Sequence, residues 1–536
     1  MHNNLLIILG LLFVVMMLVL VARRIKVAYP IFLVVAGLGI SFIPGIPHIG
    51  LDPDIIFLIF LPPLLYEAAW YTSWKDFWKW KRPISLLAFG LVFFTSMIVA
   101  YTATAIIPGF TLALGFLLGG IVSPPDAVAA ATVLKGLTVP KRLLTILEGE
   151  SLVNDASSLI VFRFALAAVI SGAFSLDVAV GQFFIAAGMG IVTGLVIGNV
   201  MYLIHRFLPT TPAMDAALTV MTPYIIFLVA EHFHFSGVIG VVTGGLFLSY
   251  RSHEVFRTGD ARVNTVAIWG TLVFVMNGLV FIMIGLELPQ IIAGLGDYSI
   301  AEAIKYGLII SAIVIVLRFI WVFPSTHIPR WLSKSIRQGE TNPGWKGPVL
   351  VSWAGMRGVV SLATALSIPV MMTETEVFPL RNLIIFITFV VIFVTLVVQG
   401  LTLPLIVKIL KYKDLDDELP REQQQAGIRL RLNTAALNYL ETTYPFEIAD
   451  NEFVGLYKEE LQNNIVTTRQ KLDSMECDDC ERIEIEQYSH VLHSVYRVQR
   501  EELFKLRKEK YYSDEEIRRI EMQLDLEEMR ISGHEK

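Results

Sequence analysis

The chain is a succession of long apolar runs separated by short polar turns. About 20 apolar residues cross a hydrocarbon core as a helix, and runs of that kind recur thirteen times: 4–22, 27–43, 54–72, 83–107, 111–134, 141–171, 178–204, 212–231, 236–250, 264–287, 300–323, 345–371 and 380–410. From 411 onward there are none, although Glu481–Glu528 is rich in helix formers with dense mixed charge and predicts helix. Two of the runs are interrupted. The fifth contains Ser123, Pro124, Pro125 and Asp126, and adjacent prolines cannot continue a helical ladder. The twelfth contains Gly355 and Gly358 flanking Met356 and Arg357. A span broken inside a membrane survives only where its freed backbone faces protein, water or an ion. One interrupted span in each half points to a transporter built from inverted repeats, with its site near the bilayer midplane. The expected fold class is an all-α polytopic membrane protein of 13 transmembrane helices with a helical cytoplasmic tail.

Composition agrees. Of 536 residues, 54% are hydrophobic and 17% charged, against about 25% charged in soluble domains, and mean hydropathy is +0.62. Charge is unevenly placed: residues 1–410 carry a net +5 and residues 411–536 a net −10. Alternate loops hold the bases, with Arg23, Arg24 and Lys26, then Lys75, Lys79, Lys81 and Arg82, then Lys135, Lys141 and Arg142, continuing to Lys408, Lys411 and Lys413. The intervening loops near Pro47, Pro108, Ser175, His234 and Gly294 hold none, and Arg381 alone breaks the pattern. This is the positive-inside asymmetry. It puts the N-terminus outside and the tail in the cytoplasm of a multi-pass protein of the cell membrane. It also supports thirteen spans, since dropping one inverts every later loop. Leu5–Ala22 lacks a basic flank and a small-residue cleavage site, so it reads as the first span and not as a signal peptide. Trp70, Trp74, Trp78 and Trp80 form an interfacial belt.

The chemistry concentrates in Glu148–Gly–Glu150–Ser151–Leu–Val–Asn154–Asp155, within the sixth span. A carboxylate at bilayer depth is costly and marks a functional site by default. On a helix Ser151 and Asp155 share one face, an oxygen-rich surface for a cation or proton; Glu150 and Asn154 share the neighbouring face and need a partner of their own. Arg357 is permanently charged and needs an acid, so Glu150 with Asn154 is its natural counterpart. Asp126 falls near the start of the half-helix after the double proline, and Glu67 is the one acid inside the third run, after Leu61–Pro–Pro–Leu–Leu–Tyr66. Arg163 and Arg318 are expected to orient helices or pair with carboxylates, and Glu231 and Glu287 to lie at the membrane interface. His232, His234 and His253 lack zinc-type spacing. Cys477 and Cys480 form a lone C-x-x-C whose intervening Asp478 and Asp479 disfavour thiolates, and a zinc or redox role is not expected.

Together, Glu150–Ser151–x–x–Asn154–Asp155, Ser123–Pro–Pro–Asp126, Leu61–Pro–Pro–Leu–Leu–Tyr–Glu67 and Gly355–Met–Arg357–Gly358 resemble the first monovalent cation:proton antiporter family, which includes the NhaP-type and NHE-type sodium/proton antiporters. The resemblance covers about residues 1–410. It implies a homodimer in the lipid bilayer, with a dimerisation domain (spans 1–3 and 8–10, span 7 linking) and a core (spans 4–6 and 11–13) that moves as an elevator, the two broken helices crossing at midplane. It further implies that Asp155 binds cation and proton by turns, that Ser151 and Glu67 are cation ligands, and that Pro125 offers its backbone carbonyl with Asp126 supporting the site. Asn154 is structural, held with Glu150 by Arg357. The implied activity is exchange of Na⁺, with Li⁺ following, for protons, in pH and sodium homeostasis; K⁺/proton exchange uses the same site. Asn154 stands where relatives of opposite electrogenicity carry an acid, so exchange is expected to be electroneutral, one for one. No cofactor is expected beyond the transported ions, nor nucleic acid. A channel needs no protonatable ligand, and no nucleophile–base pair or cofactor loop points to an enzyme. The acidic tail, residues 411–536, is expected to be regulatory.

Overall fold

The computed structural model describes residues 2–43, 53–134, 137, 139–172, 176–295, 298–339, 342, 344–372, 376–412 and 421–474, with a few short stretches between 491 and 524. The loop at Pro47, Cys477 with Cys480, and most of Glu481–Glu528 lie outside them. The chain divides into two units, Met1–Asp416 and Asp417–Lys536.

In the first unit helix occupies each of the thirteen apolar stretches. The helices are α1 (His2–Arg24), α2 (Tyr29–Ser41), α3 (Pro53–Tyr71), α4 (Lys81–Ile106), α5 (Leu112–Val122), α6 (Ala127–Leu134), α7 (Lys141–Ser171), α8 (Leu176–Phe207), α9 (Pro212–His232), α10 (Gly237–Tyr250), α11 (Gly259–Leu286), α12 (Ile300–Leu332), α13 (Lys346–Trp353), α14 (Val359–Leu366) and α15 (Arg381–Leu410). Among the described residues eight stretches are helical, long and apolar enough to cross a membrane, counting α5 and α6 as one, and α2 and α10 are shorter apolar helices. The only extended pairing among the described residues is one bridge between Met371 and Val377. Hydroxyl caps fix several starts: Thr111, Thr211, Ser236, Thr258 and Ser299 each accept an N–H from the first turn of the helix that follows. Such caps matter at the rim of a hydrocarbon layer, where an unmade hydrogen bond has no compensation.

Two sets of neighbouring helices can be followed in the first unit, joined by a shared apolar core. α2 lies along α11, α8 along α10, and α10 also against α3 and α9. In the other group α5 packs between α4 and α7, and α12 packs against α13 and α15. Small residues set the closeness of these contacts. Gly194 of α8 faces the Gly240 carbonyl of α10, while Gly244 faces the Gly194 carbonyl in return. This is the small-residue packing that substitutes, inside lipid, for a hydrophobic driving force.

The two interrupted spans meet. Ser123–Asp126 is non-helical between α5 and α6, and Ala354–Gly358 between α13 and α14. The Asp126 N–H donates to the Met356 carbonyl at 2.7 Å, and Arg357 Nε donates to the Val122 carbonyl at 2.8 Å. The Arg357 N–H donates to the Thr395 hydroxyl at 3.1 Å, at the start of a π-helical turn in α15 (Thr395–Gln399). Freed backbone groups at each break are thus satisfied in part by the opposite break and in part by α15.

In the second unit the described residues include α16 (Arg421–Thr443), α17 (Pro445–Asp450) and α18 (Glu452–Ser474). α16 and α18 pack together, burying Ala426 and Leu461, with Lys458 ion-paired to Glu441 at 3.0 Å.

Candidate functional site

The site is built on α7. Glu148, Ser151, Leu152 and Asp155 recur at the spacing of one helical face, and all four line a cavity of about 390 Å³. Glu67 from α3, Pro125 and Asp126 from the break after α5, and Thr132 from α6 line it too. The structure therefore brings Asp155, Ser151, Glu67, Pro125 and Asp126 to one cavity. It extends to Tyr29 and Tyr71, at the ends of α2 and α3 next to the basic loops.

Asp155 is 7% exposed, and among the described residues its carboxylate has no hydrogen bond or ion pair. Its neighbours are already engaged in building the crossing. The Ser151 hydroxyl accepts the Ala127 N–H at 3.2 Å, so a serine of α7 caps the start of α6. Asp126 accepts the Val128 N–H at 2.8 Å, an N-cap for the same half-helix. Asn154 Nδ2 donates to the Pro125 carbonyl at 2.9 Å; that oxygen keeps a second lone pair. The positive end of α6 therefore points into the carboxylate-lined cavity, an arrangement that favours negative charge there. A Cβ on Gly358 would fall on the Asp126 carboxylate, so only glycine lets the second break approach this closely.

The other face of α7 corrects one expectation. Glu150 is fully buried, and its partner is Arg318 of α12, not Arg357. Arg318 Nη1 and Nη2 donate to the two Glu150 oxygens at 2.6 and 2.7 Å, and Arg318 Nε donates to the Val351 carbonyl at 3.1 Å. The planar guanidinium matches the carboxylate fork for fork. Arg357 is equally buried but serves backbone, holding the Val122 carbonyl and, at 3.2 Å, Gly355. It closes the C-terminal end of α5, where a cation opposes the helix dipole. Asn154 is joined to the crossing through Pro125 and not through Arg357. Arg163 pairs with Glu231 at 2.7 Å, and Glu287 is buried just past the end of α11.

Sequence reasoning passed over Glu148 as a lining group, although it stands seven residues before Asp155, two turns along the same face. It also missed Asn277 of α11, an amide deep inside an apolar run, which lines the cavity from the other packing group. No pattern flagged that residue.

A family model described as "Sodium/hydrogen exchanger, transmembrane" matches residues 9–409. The chain belongs to that family. It is a multi-pass membrane protein of a group of transporters, not an enzyme. Over 515 residues, 95% of this chain and 93% of the other, it is 32% identical to an uncharacterized Na⁺/H⁺ exchanger of Mycobacterium tuberculosis. Over 446 residues it is 34% identical to the sodium, potassium, lithium and rubidium/H⁺ antiporter of Bacillus subtilis, covering 81% of this chain and 66% of that one. Its fold is similar to that of the sodium proton antiporter MjNhaP1 of Methanocaldococcus jannaschii, with TM-score 0.57 and 18% identity over 76% of this exchanger and 100% of that one.

Proposed function

We propose that the chain exchanges a monovalent cation, Na⁺ or K⁺ with Li⁺ following Na⁺, for a proton across the cell membrane, thereby controlling internal pH and sodium. The observation that carries this is Asp155: a buried carboxylate without a counter-charge among the described residues, facing a cavity lined by the side-chain oxygens of Glu67, Asp126, Glu148 and Ser151 together with the Asn277 amide. A bare carboxylate at such depth is costly, so it is neutralised by whichever of proton or cation reaches it. One group that accepts either, but not both, exchanges them without ATP. Ser151, Glu67 and the Pro125 carbonyl supply further oxygens to the cation, and Asp126 holds the crossing around it. Glu150 paired with Arg318, Asn154 and Arg357 keep the frame rigid and its charge fixed through the cycle. K⁺ is kept beside Na⁺ as the cargo because the Bacillus subtilis relative is named for both.

In this reading the chain makes thirteen crossings with its N-terminus outside, and forms a homodimer through α1–α3 and α9–α11. The core, α4–α7 and α12–α15, carries Asp155 past that scaffold as an elevator. With one charge swapped for one, exchange is electroneutral. The test is dissipation of a pH gradient in proteoliposomes on addition of Na⁺, Li⁺ or K⁺, wild type against Asp155→Asn. The variant is expected to fold and to exchange nothing; exchange at the wild-type rate refutes the role of Asp155.

A further inference from the structure

α7 carries a second charge beyond its site. Arg163 lies eight residues past Asp155, about 12 Å along the axis, on the side away from Tyr29 and Tyr71. Its Nη2 donates to Glu231 Oε2 at 2.7 Å. Glu231 ends α9, and its other oxygen accepts the N–H of Gly237, the first residue of α10, at 3.1 Å. The turn carrying Glu231 is tied down in its own right, since the Ser236 N–H donates to the Ala186 carbonyl of α8. The carboxylate is therefore presented by three helices of one packing group, and the arginine by the helix of the other group that bears Asp155.

The two sides of α7 contrast. Towards Lys141, α7 and α3 line the cavity together. Beyond Asp155, an ion pair joins α7 to α9. Resting on the elevator reading above, we propose that Arg163 and Glu231 form the latch that shuts the outer side while Asp155 faces the cytoplasm, and that this pair must part each time the core carries Asp155 outward. Translation of α7 along the scaffold lengthens the Arg163–Glu231 separation directly, because Glu231 is fixed by Gly237 while Arg163 moves with Asp155. Neither residue touches the cation. They position the carriage and set how often each face is open.

The size of the effect follows from exposure. Arg163 is 52% and Glu231 28% exposed at the side chain, and partly exposed pairs of this kind shift an equilibrium by roughly two- to fivefold. Loss of the latch raises the population of the outward-facing form by that factor. Apparent affinity scales with the population competent to bind. The KM for external cation is therefore expected to fall roughly two- to fivefold, while the KM for cytoplasmic cation rises or stays level.

The experiment uses the full chain in vesicles of both orientations. Wild type, Arg163→Gln, Glu231→Gln, the double variant and the swap Arg163→Glu/Glu231→Arg are assayed for cation KM at each face. A lowered external KM in each single variant, no further fall in the double, and recovery in the swap are expected. An unchanged external KM in both single variants overturns the latch. A second arm places Arg163→Cys/Glu231→Cys in a Cys477→Ser/Cys480→Ser background and bridges the pair with a bifunctional methanethiosulfonate, since an Arg–Glu separation is too wide for a disulfide. The bridged protein is expected to stop exchanging and to recover on reduction. Full exchange while bridged shows that α7 does not move against α9 and overturns the proposal. Absence of exchange in the wild type counts instead against the transport reading.

Discussion

Arg318→Ala is expected to damage this protein more than the loss of almost any other single side chain outside the cavity. The substitution leaves Glu150, fully buried, without the two hydrogen bonds of 2.6 and 2.7 Å that neutralise it, and leaves the Val351 carbonyl without its donor. Removing one partner of a buried pair costs about 3–5 kcal/mol. The stranded carbonyl adds about 1–3 kcal/mol where water does not reach it. At about 2–4 °C per kcal/mol for medium-sized domains, and less for larger ones, the expected fall in apparent Tm is roughly 5–10 °C. The assay is thermal unfolding in detergent, run as a double-mutant cycle with Glu150→Gln, Arg318→Met and the two combined. Because a buried pair often replaces well by neutral groups of similar volume, the double variant is expected to regain most of the stability lost in either single one. A parallel cycle between Glu150 and Arg357 is expected to show much weaker coupling, since Arg357 holds backbone carbonyls of the crossing. Strong coupling of Glu150 to Arg357 with none to Arg318 refutes the pairing.

Three further outcomes are expected. Gly358→Ala places a methyl group on the Asp126 carboxylate and should abolish cation-driven proton movement in a protein that still inserts, read as pH-gradient dissipation. Asp76, in the connector Trp74–Lys79, is pushed up by burial, but its bond to Lys141 at 3.0 Å and the Ser73 hydroxyl outweigh this and hold its carboxyl below the usual value. A lowered folded-state value contributes stability that is fully present above the unfolded pKa of about 3.9 and is lost as pH falls through the lower folded-state value, so Asp76→Asn should cost up to about 1 kcal/mol at neutral pH and progressively less on acidification below the unfolded value, by thermal unfolding across that range. Exchange rate should be flat across clamped membrane potentials, although moving one net charge through 100 mV is worth about 2.3 kcal/mol; a steep dependence means that a second group, Asp126 first, titrates with the moving core.

Much of this architecture is written in local chemistry. Proline pairs and flanking glycines break helices wherever they fall, so both interruptions were readable, as was the face shared by Ser151 and Asp155. The partner of Glu150 was not. Arg318 and Arg357 are each the one cation deep inside an apolar run, and periodicity says only that both need a carboxylate or carbonyls. Which of them reaches α7 depends on where α12 lands, a tertiary fact with no local signal. Glu148 was the opposite case, a position whose helical spacing already put it beside Asp155.

An interruption in a helix is usually where a protein bends. The crossing described above has the opposite consequence. Asp126 is tied to Met356 and Arg357 to Val122, so each break is splinted by the other, and neither half-helix can swing without tearing both bonds at once. The amide hydrogen of Asp126, although it lies outside any helix, should therefore rank with the slowest in the chain to exchange with deuterated solvent, opening only when α5, α6, α13 and α14 come apart as a whole. The kinks are the stiffest point of the machine, and its flexibility has to be sought at the seams between packed groups.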